Sequence, residues 1–202
     1  MKAYAKINNV EPQEIQQRVQ DYQIKPLKQF HRLYFSNQFG SWEIDLVYER
    51  NNKNRKVNYL FAINVNTKYL IVSAIINKSA SQVIYALKKI INQQYVTDIR
   101  EDGERSFKGK DVQQFLEEQG IKCFFTGSQF TQHNRIVDSL AKTIRKGFGT
   151  SNNDFADLEK LQQLVFIYNK TPHLAYDNKF SLEEVQHNSD IEGAFIRMKE
   201  QE

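Results

Sequence analysis

A single cysteine, Cys123, stands in a chain of 202 residues. That excludes an internal disulfide and any zinc site needing two thiolates. No run of about 18 apolar residues occurs, and the mean hydropathy is −0.64, so neither a transmembrane helix nor a membrane partner is expected. No secretory leader is visible, because Lys2, Lys6 and Glu11 interrupt the N-terminus before an apolar stretch forms. Internal repeats are lacking. Charge of one sign is also scarce. Lys and Arg number 28 against 24 Asp and Glu, for a net charge of +4 and a pI near 9.0. This mild basicity permits a polyanionic partner without demanding one. Apolar residues, by contrast, are plentiful. They make up 40% of the chain, with 14 Phe and 10 Tyr, which supports a buried core and excludes wholesale disorder. At about 100–200 residues per domain the length fits one domain with a small extension.

Residues 1–40, rich in Gln, Asn, Lys and Tyr, read as an arm with a short helix over 11–22 and an irregular path from Pro26 through Ser36-Asn37-Gln38. From Trp42 the pattern sharpens. Trp42, Ile44, Leu46 and Tyr48 alternate along one face of a strand. A polar turn at 51–54 leads to a second strand over 57–65. The third, over 69–76, is apolar on both faces, which places it centrally. Short links pair these three antiparallel. Val83, Ile84, Leu87, Ile90 and Ile91 then form a helical stripe capped by Ser79 or Ser81. A strand over 95–100, a helix over 111–119 ended by Gly120 and a strand over 121–125 follow. Three helices close the chain, over 133–146, over 154–170, and from Ser181, where Ser181-Leu182-Glu183-Glu184 has the form of a capping box. The order β-β-β-α-β-α-β-α-α-α implies a mixed α/β sheet of three antiparallel and two parallel strands, with helices on both faces. The core is expected over 41–188 and a C-terminal helical tail over 189–202.

Three acids invite chemistry. Asp45 stands in mid-strand between Ile44 and Leu46, where a carboxylate is costly unless paired, protonated or metal-bound; an edge strand with a solvated face is the competing account. Asp102, followed by Gly103, closes the fourth strand. Ligands gather at the carboxyl ends of strands in open α/β sheets, although a plain Asp-Gly turn reads the same way. Asp138 lies early in a helix, where an acid also complements the dipole and Lys142 is an i+4 ion-pair partner. Together the three can converge, and a self-repelling carboxylate cluster is well matched to divalent cations. Two such ions about 3.5–4 Å apart suit in-line phosphoryl displacement.

Thirty-five residues separate Asp102 from Asp138. With the surrounding motifs, this spacing resembles the catalytic core of retroviral and retrotransposon-type integrases, a ribonuclease-H-like fold. Trp42-x-x-Asp45 matches the Trp-x-x-Asp of that family's first strand. Gly103 and Phe107 sit in a degenerate Asp-Asn-Gly-x-Glu-Phe box. His133-Asn134-Arg135-Ile136-Val137-Asp138 matches the segment before the third acid. Tyr168-Asn169-x-Thr171-Pro172-His173 resembles a Tyr-Asn-x-x-x-His box, and Ser181-Leu182-Glu183-Glu184 the motif after it. The likeness runs from about Trp42 to Val185. Similar cores occur in Maverick/Polinton-like DNA transposons and virophages. Two departures stand out. The third acid is Asp where the family usually has Glu, and Glu101 offers an alternative second ligand under a shifted register. The family's His/Cys zinc domain is not expected in the N-terminal arm.

The resemblance implies a DNA integrase, a two-metal polynucleotidyl transferase and nuclease. It would use Mg²⁺ or Mn²⁺ for 3′-end processing and strand transfer of element DNA into target DNA. Asp45, Asp102 and Asp138 would be its catalytic metal ligands. Asn134, Arg135, Lys142, Arg145 and Lys146 would bind DNA, the last three from the face of the third-acid helix, where Lys and Arg grip phosphates without reading sequence. A solvated helix face is the plainer account of those cations. The implied partners are double-stranded DNA and at least one further copy of the chain, with 168–173 and its flanking helices as the contact, and the implied location is a host nucleus or a virion. A ribonuclease-H-like nuclease that cuts without joining, and a DNA-binding or assembly module disabled at Asp138, are the alternatives. Lys53, Arg55 and Lys56 read as solubilising, His173 as structural and Cys123 as inert.

Overall fold

The first strand forms where the alternation begins. The computed structural model describes residues 35–50, 53, 55–125, 135–147 and 157–201. The strands are β1 (Ser41–Arg50), β2 (Lys56–Asn64), β3 (Leu70–Ile75), β4 (Asp98–Glu101) and β5 (Lys122–Phe125). Helices α1 (Ala80–Gln93), α2 (Arg105–Lys108) and α3 (Lys110–Glu118) are interleaved with them. After β5 come α4 (Arg135–Gly147), α5 (Leu158–Lys170), α6 (Leu182–Gln186) and α7 (Ser189–Gln201). The expected helix over 11–22 and most of the turn at 51–54 lie outside the described residues, as do 133–134 and 154–156.

The five strands form one sheet in the order β3-β2-β1-β4-β5. β1 pairs antiparallel with β2 and β2 with β3, whereas β4 runs parallel to both β1 and β5. This is the mixed sheet that the element order implies, with the ribonuclease-H-like arrangement expected from the resemblance. The period-2 pattern sorts its two faces. Trp42, Ile44, Leu46, Leu60 and Ala62 pack under α1, α2 and α3, against Leu87, Phe107 and Leu116. Val47, Tyr59, Phe61, Ile63 and Val72 pack under α4 and α5, against Val137, Leu140, Ile144 and Leu161. A third, smaller cluster joins Phe35, Tyr176, Val185 and Phe195.

Local signals hold where they are local. Gly120 takes φ +69 and ends α3, with Gly120 N–H donating to Glu117 O and Ile121 N–H to Leu116 O, both at 2.9 Å. The Ser181–Glu184 capping box forms. Ser79 takes the N-cap position of α1, but its side chain makes no cap bond.

Three expectations are corrected. β3 is an edge strand, not a central one. Its second apolar face reflects helices on both sides of the sheet, and its free edge is met by side chains of α5. Leu70 N–H donates to Asn169 Oδ1 at 2.9 Å, Asn169 Nδ2 donates to Leu70 O at 2.8 Å, and Gln162 Nε2 to Val72 O at 2.9 Å. An exposed edge is thereby blunted by two side-chain amides. β4 begins at Asp98 rather than Tyr95, because the preceding residues are tied to the start of β1 instead. Trp42 Nε1 donates to Tyr95 O at 3.1 Å and Thr97 N–H to Gly40 O at 2.8 Å. Gly40, at φ +70, permits this approach, since a Cβ there would lie 2.8 Å from the Tyr95 ring. Finally, Tyr48 leaves the buried stripe of β1 and is 51% exposed.

Candidate active site

β1 extends beyond its parallel neighbour. Its pairing with β4 ends at Glu43↔Arg100, while its pairing with β2 continues to Arg50↔Lys56. Asp45 therefore sits on a central strand just where one flank of the sheet opens, opposite Phe61 on the other flank. The competing account of Asp45 as a solvated edge residue does not hold. Asp102 directly follows β4, and its negative charge reaches Asp45. Arg100 pairs with Glu43, so Glu101, the next residue of β4, turns to the face opposite Glu43 and Asp45. Fully buried, Glu101 accepts the N–H groups of Gly103 and Glu104 on Oε2, at 2.8 and 2.9 Å. It builds the turn after β4 and does not face the cleft. Burial holds it at about 7 in spite of those bonds.

α4 lies over this face. Val137, Leu140, Ala141 and Ile144 turn down into the core, which leaves Asp138, Lys142 and Arg145 along the rim of a cleft of about 400 Å³. Asp45, Leu46, Val47, Tyr48 and Glu49 form its floor. Arg145 Nε lies 3.6 Å from Glu49 Oε2. Among the described residues no ion pair joins Asp138 to Lys142. Arg135 and Lys146 belong to α4, but their side chains, and all of Asn134, lie outside the described residues.

The acids share a field. The Asp45 carboxyl is pushed up to about 6, first by burial and then by the negative charges of Asp102 and Asp138, with Glu104 adding a smaller push and a backbone hydrogen bond at Leu46 opposing it. Removing water from a carboxylate while surrounding it with like charge favours its protonated form. The donor set is all carboxylate oxygen, the chemistry of a hard divalent cation, and such a cation would reverse the direction of that shift. Among the described residues no three of His, Cys, Asp and Glu are gathered into a ready metal cage. Asp45 and Asp138 share a cleft, and Asp102 acts on Asp45 through its charge.

Two groups near the acids escaped the sequence reading. Lys78, just before α1, contacts Glu104 and reaches toward Leu46 O at 3.5 Å. Glu43, two residues before Asp45 on the same face, is 4% exposed. Its Oε1 accepts N–H bonds from Ile136 at 3.1 Å and Val137 at 3.0 Å, in the first turn of α4. Burial lifts the Glu43 carboxyl to about 7, while the two amide bonds and the nearby Lys68 pull it back. The argument that singled out Asp45, a charge inside an alternating strand, applied equally to Glu43.

The remaining readings hold in part. His173 is structural: its Nδ1 accepts from Ala175 N–H at 3.1 Å and starts a 3-10 turn over Leu174–Tyr176. Cys123 is half-buried against the core, and burial raises its thiol, which suppresses thiolate reactivity. Lys56 lies over the Tyr48 ring, 4.1 Å from its centroid. No helix among the described residues is long and apolar enough to cross a membrane.

Comparison with known proteins bears on the same region. Residues 36–129 match the integrase core domain family. Among curated proteins none matches this chain. A solved chain of the simian T-cell lymphotropic virus intasome, in complex with PP2A regulatory subunit B56 gamma, is similar at TM-score 0.65 and 14% identity. That match covers 81% of this chain and 59% of the viral one, so this chain spans well under two thirds of that relative. The HTLV-2 integrase catalytic core domain, solved with magnesium in a trimeric form, is similar at TM-score 0.61 and 14% identity, over 76% of this chain and 98% of that one. The catalytic core domain of BIV integrase is similar at TM-score 0.55 and 16% identity, over 76% and 97%.

Proposed function

We propose, from the premise of the integrase core domain matched over residues 36–129, that this chain is a DNA integrase. It trims the 3′ ends of an element's DNA and joins them to target DNA. The observation that carries this reading is Asp45, which shares a cleft with Asp138 and whose carboxyl is pushed up by the negative charges of both Asp102 and Asp138. When bound, two Mg²⁺ or Mn²⁺ ions would activate the attacking oxygen and neutralise charge on the phosphate. Asp45, Asp102 and Asp138 would hold those ions. The sheet opening beyond Glu43 gives a phosphodiester room to enter beside Asp45. Along α4, Lys142 and Arg145 would track the DNA backbone and set its register, with Asn134, Arg135 and Lys146 extending that track. Positioning and charge neutralisation supply most of the catalysis in such a site.

Two DNA ends and one target need more than one core. The apolar face of α5, where Leu158, Phe166 and Ile167 are 45%, 62% and 58% exposed, supports at least a homodimer. The reading also places the chain in a virion or a host nucleus.

The deciding experiment offers the protein labelled double-stranded DNA ends and an unlabelled target in Mn²⁺. Cleavage with joined product supports the integrase. Cleavage without joining assigns a nuclease. Neither, with no Mn²⁺ bound at millimolar concentration by calorimetry, assigns a DNA-binding or assembly module.

A further inference from the structure

The third acid poses a positional problem. Asp138 has one methylene less than the Glu usual at this place in the resembling family. It also rides on a helix whose packing against the sheet is apolar, through Val137, Leu140, Ala141 and Ile144. Apolar contact is non-directional and does not by itself fix how far α4 slides or turns over β1. A short carboxylate meeting Asp45 across a cleft tolerates little such freedom.

One polar contact removes it. The first-turn amides of a helix have no partner within the helix and are usually met by a residue just ahead of it. In α4, two of them, Ile136 and Val137, are instead met by Glu43 on β1, 93 and 94 positions away in sequence. Both bonds end on the same oxygen, Oε1, and the carboxyl is only 4% exposed. Negative charge is also favourable at this end of a helix. Lys68, itself 5% exposed, holds its ammonium on Val65 O and sets positive charge near Glu43. The resulting path between the acids is short: Asp45, Ile44, Glu43, the Val137 amide, Asp138. Every link in it is covalent or a hydrogen bond.

We propose that Glu43 is a positioning residue: by clamping the first turn of α4 to β1 it sets the distance and angle at which Asp138 meets Asp45. The proposal rests on the functional reading above and adds a residue that reading does not use. Glu43 touches neither DNA nor metal; it acts through Asp138.

The test compares the full chain with Glu43→Gln and Glu43→Met. Gln keeps the Oε1 acceptor and discards the charge, whereas Met keeps the length and discards the acceptor. Three quantities are read: amide hydrogen exchange at Ile136 and Val137, Mn²⁺ affinity by calorimetry, and kcat and KM for cleavage of a DNA end. Loss of an outer residue that orients metal ligands costs about 10–100-fold in affinity or activity. Glu43→Met is therefore expected to exchange both amides faster, to bind Mn²⁺ at least about tenfold more weakly and to lose a like factor in kcat, with KM for DNA within about twofold. Glu43→Gln is expected to stay near wild type in all three. If Glu43→Met does not fold, Glu43→Asp, which withdraws the oxygen by one methylene, should show the same weakened Mn²⁺ binding. Wild-type Mn²⁺ affinity and kcat in a variant whose two amides have lost protection overturns the proposal, as does a Glu43→Gln as damaged as Glu43→Met. Failure of the functional reading is a separate result: a wild-type protein that neither binds Mn²⁺ nor cuts DNA.

Discussion

The two faces of the sheet carry the same strands and nearly the same helical cover, yet they differ in kind. Under α1, α2 and α3 β1 contributes Trp42, Ile44 and Leu46 and β2 adds Leu60 and Ala62, all apolar, and a buried carboxylate on this face, Glu101, closes a turn at the end of β4. Under α4 and α5 the same β1 contributes Glu43, Asp45 and Val47 in alternation. Two carboxylates inside a packed layer are a standing cost. Glu43 is met by helix amides. Asp45 is left beside further negative charge. One face thus stabilises the fold, and the other gives up part of that stabilisation to hold a charged cleft. If the difference is functional, changes on the two faces should separate activity from stability.

The sharpest separation is expected at Asp45. Asp45→Asn or Asp102→Asn should lower cleavage and joining by about a thousandfold or more with an unchanged circular dichroism spectrum. In metal-free buffer Asp45→Asn should melt higher than wild type, because a charge leaves a repulsive group. Wild-type joining rates in either variant would erase the distinction between the faces. Asp138→Asn should be as damaging, and Asp138→Glu should retain activity. Were Asp138 only complementing the helix dipole, Asp138→Asn would cost about 0.3–1 kcal/mol of stability and no turnover.

On the apolar face the effects should invert. Leu60 is fully buried, so Leu60→Ala should cost about 2–5 kcal/mol in chemical denaturation, while the activity of the remaining folded protein per molecule stays at the wild-type level.

A smaller effect lies in the pH dependence of the charged face. Glu43 and Asp45 have folded-state values of about 7 and about 6, above ordinary values of 4.5 and 3.8. The folded protein therefore binds more protons than the unfolded chain across that window, and their contribution is fully present below it and lost as pH rises. Without metal, the melting temperature should fall from about pH 4.5 to about pH 7, and Asp45→Asn should flatten the slope. A rising melting temperature over that interval would mean that other groups outweigh these two carboxyls. The smallest effect is expected at the cleft rim. Lys142→Ala should weaken DNA binding about equally for all sequences and lower the salt slope by about one unit, leaving the melting temperature unchanged.

Much of this was legible before any coordinates. Alternation in β1 and β2 sorted residues between the two faces of the sheet, Tyr48 excepted, and helical stripes identified α1 and α5. Gly120 and the Ser181–Glu184 box announced a helix end and a helix start. The spacing of Asp102 and Asp138 and the motifs around them pointed to the two acids whose charges reach Asp45. β3 shows where such reading stops. A strand apolar on both faces reads as a central one, but apolar faces report cover above and below. They say nothing of lateral neighbours, and here a helix supplies Asn169 and Gln162 at the edge.

What the sequence determined by itself, then, is what repeats or caps locally: the period-2 and period-3.6 patterns, the stop and start signals, and the residue types able to do metal-assisted phosphoryl chemistry. The tertiary structure alone decided which strand ended at the edge, that Glu101 builds a turn while the charge of Asp102 reaches Asp45, and that Glu43 meets the first turn of α4. The reason is physical. A hydrogen bond between residues 93 positions apart leaves no periodic trace in the chain, and a register becomes definite only when two strands lie side by side.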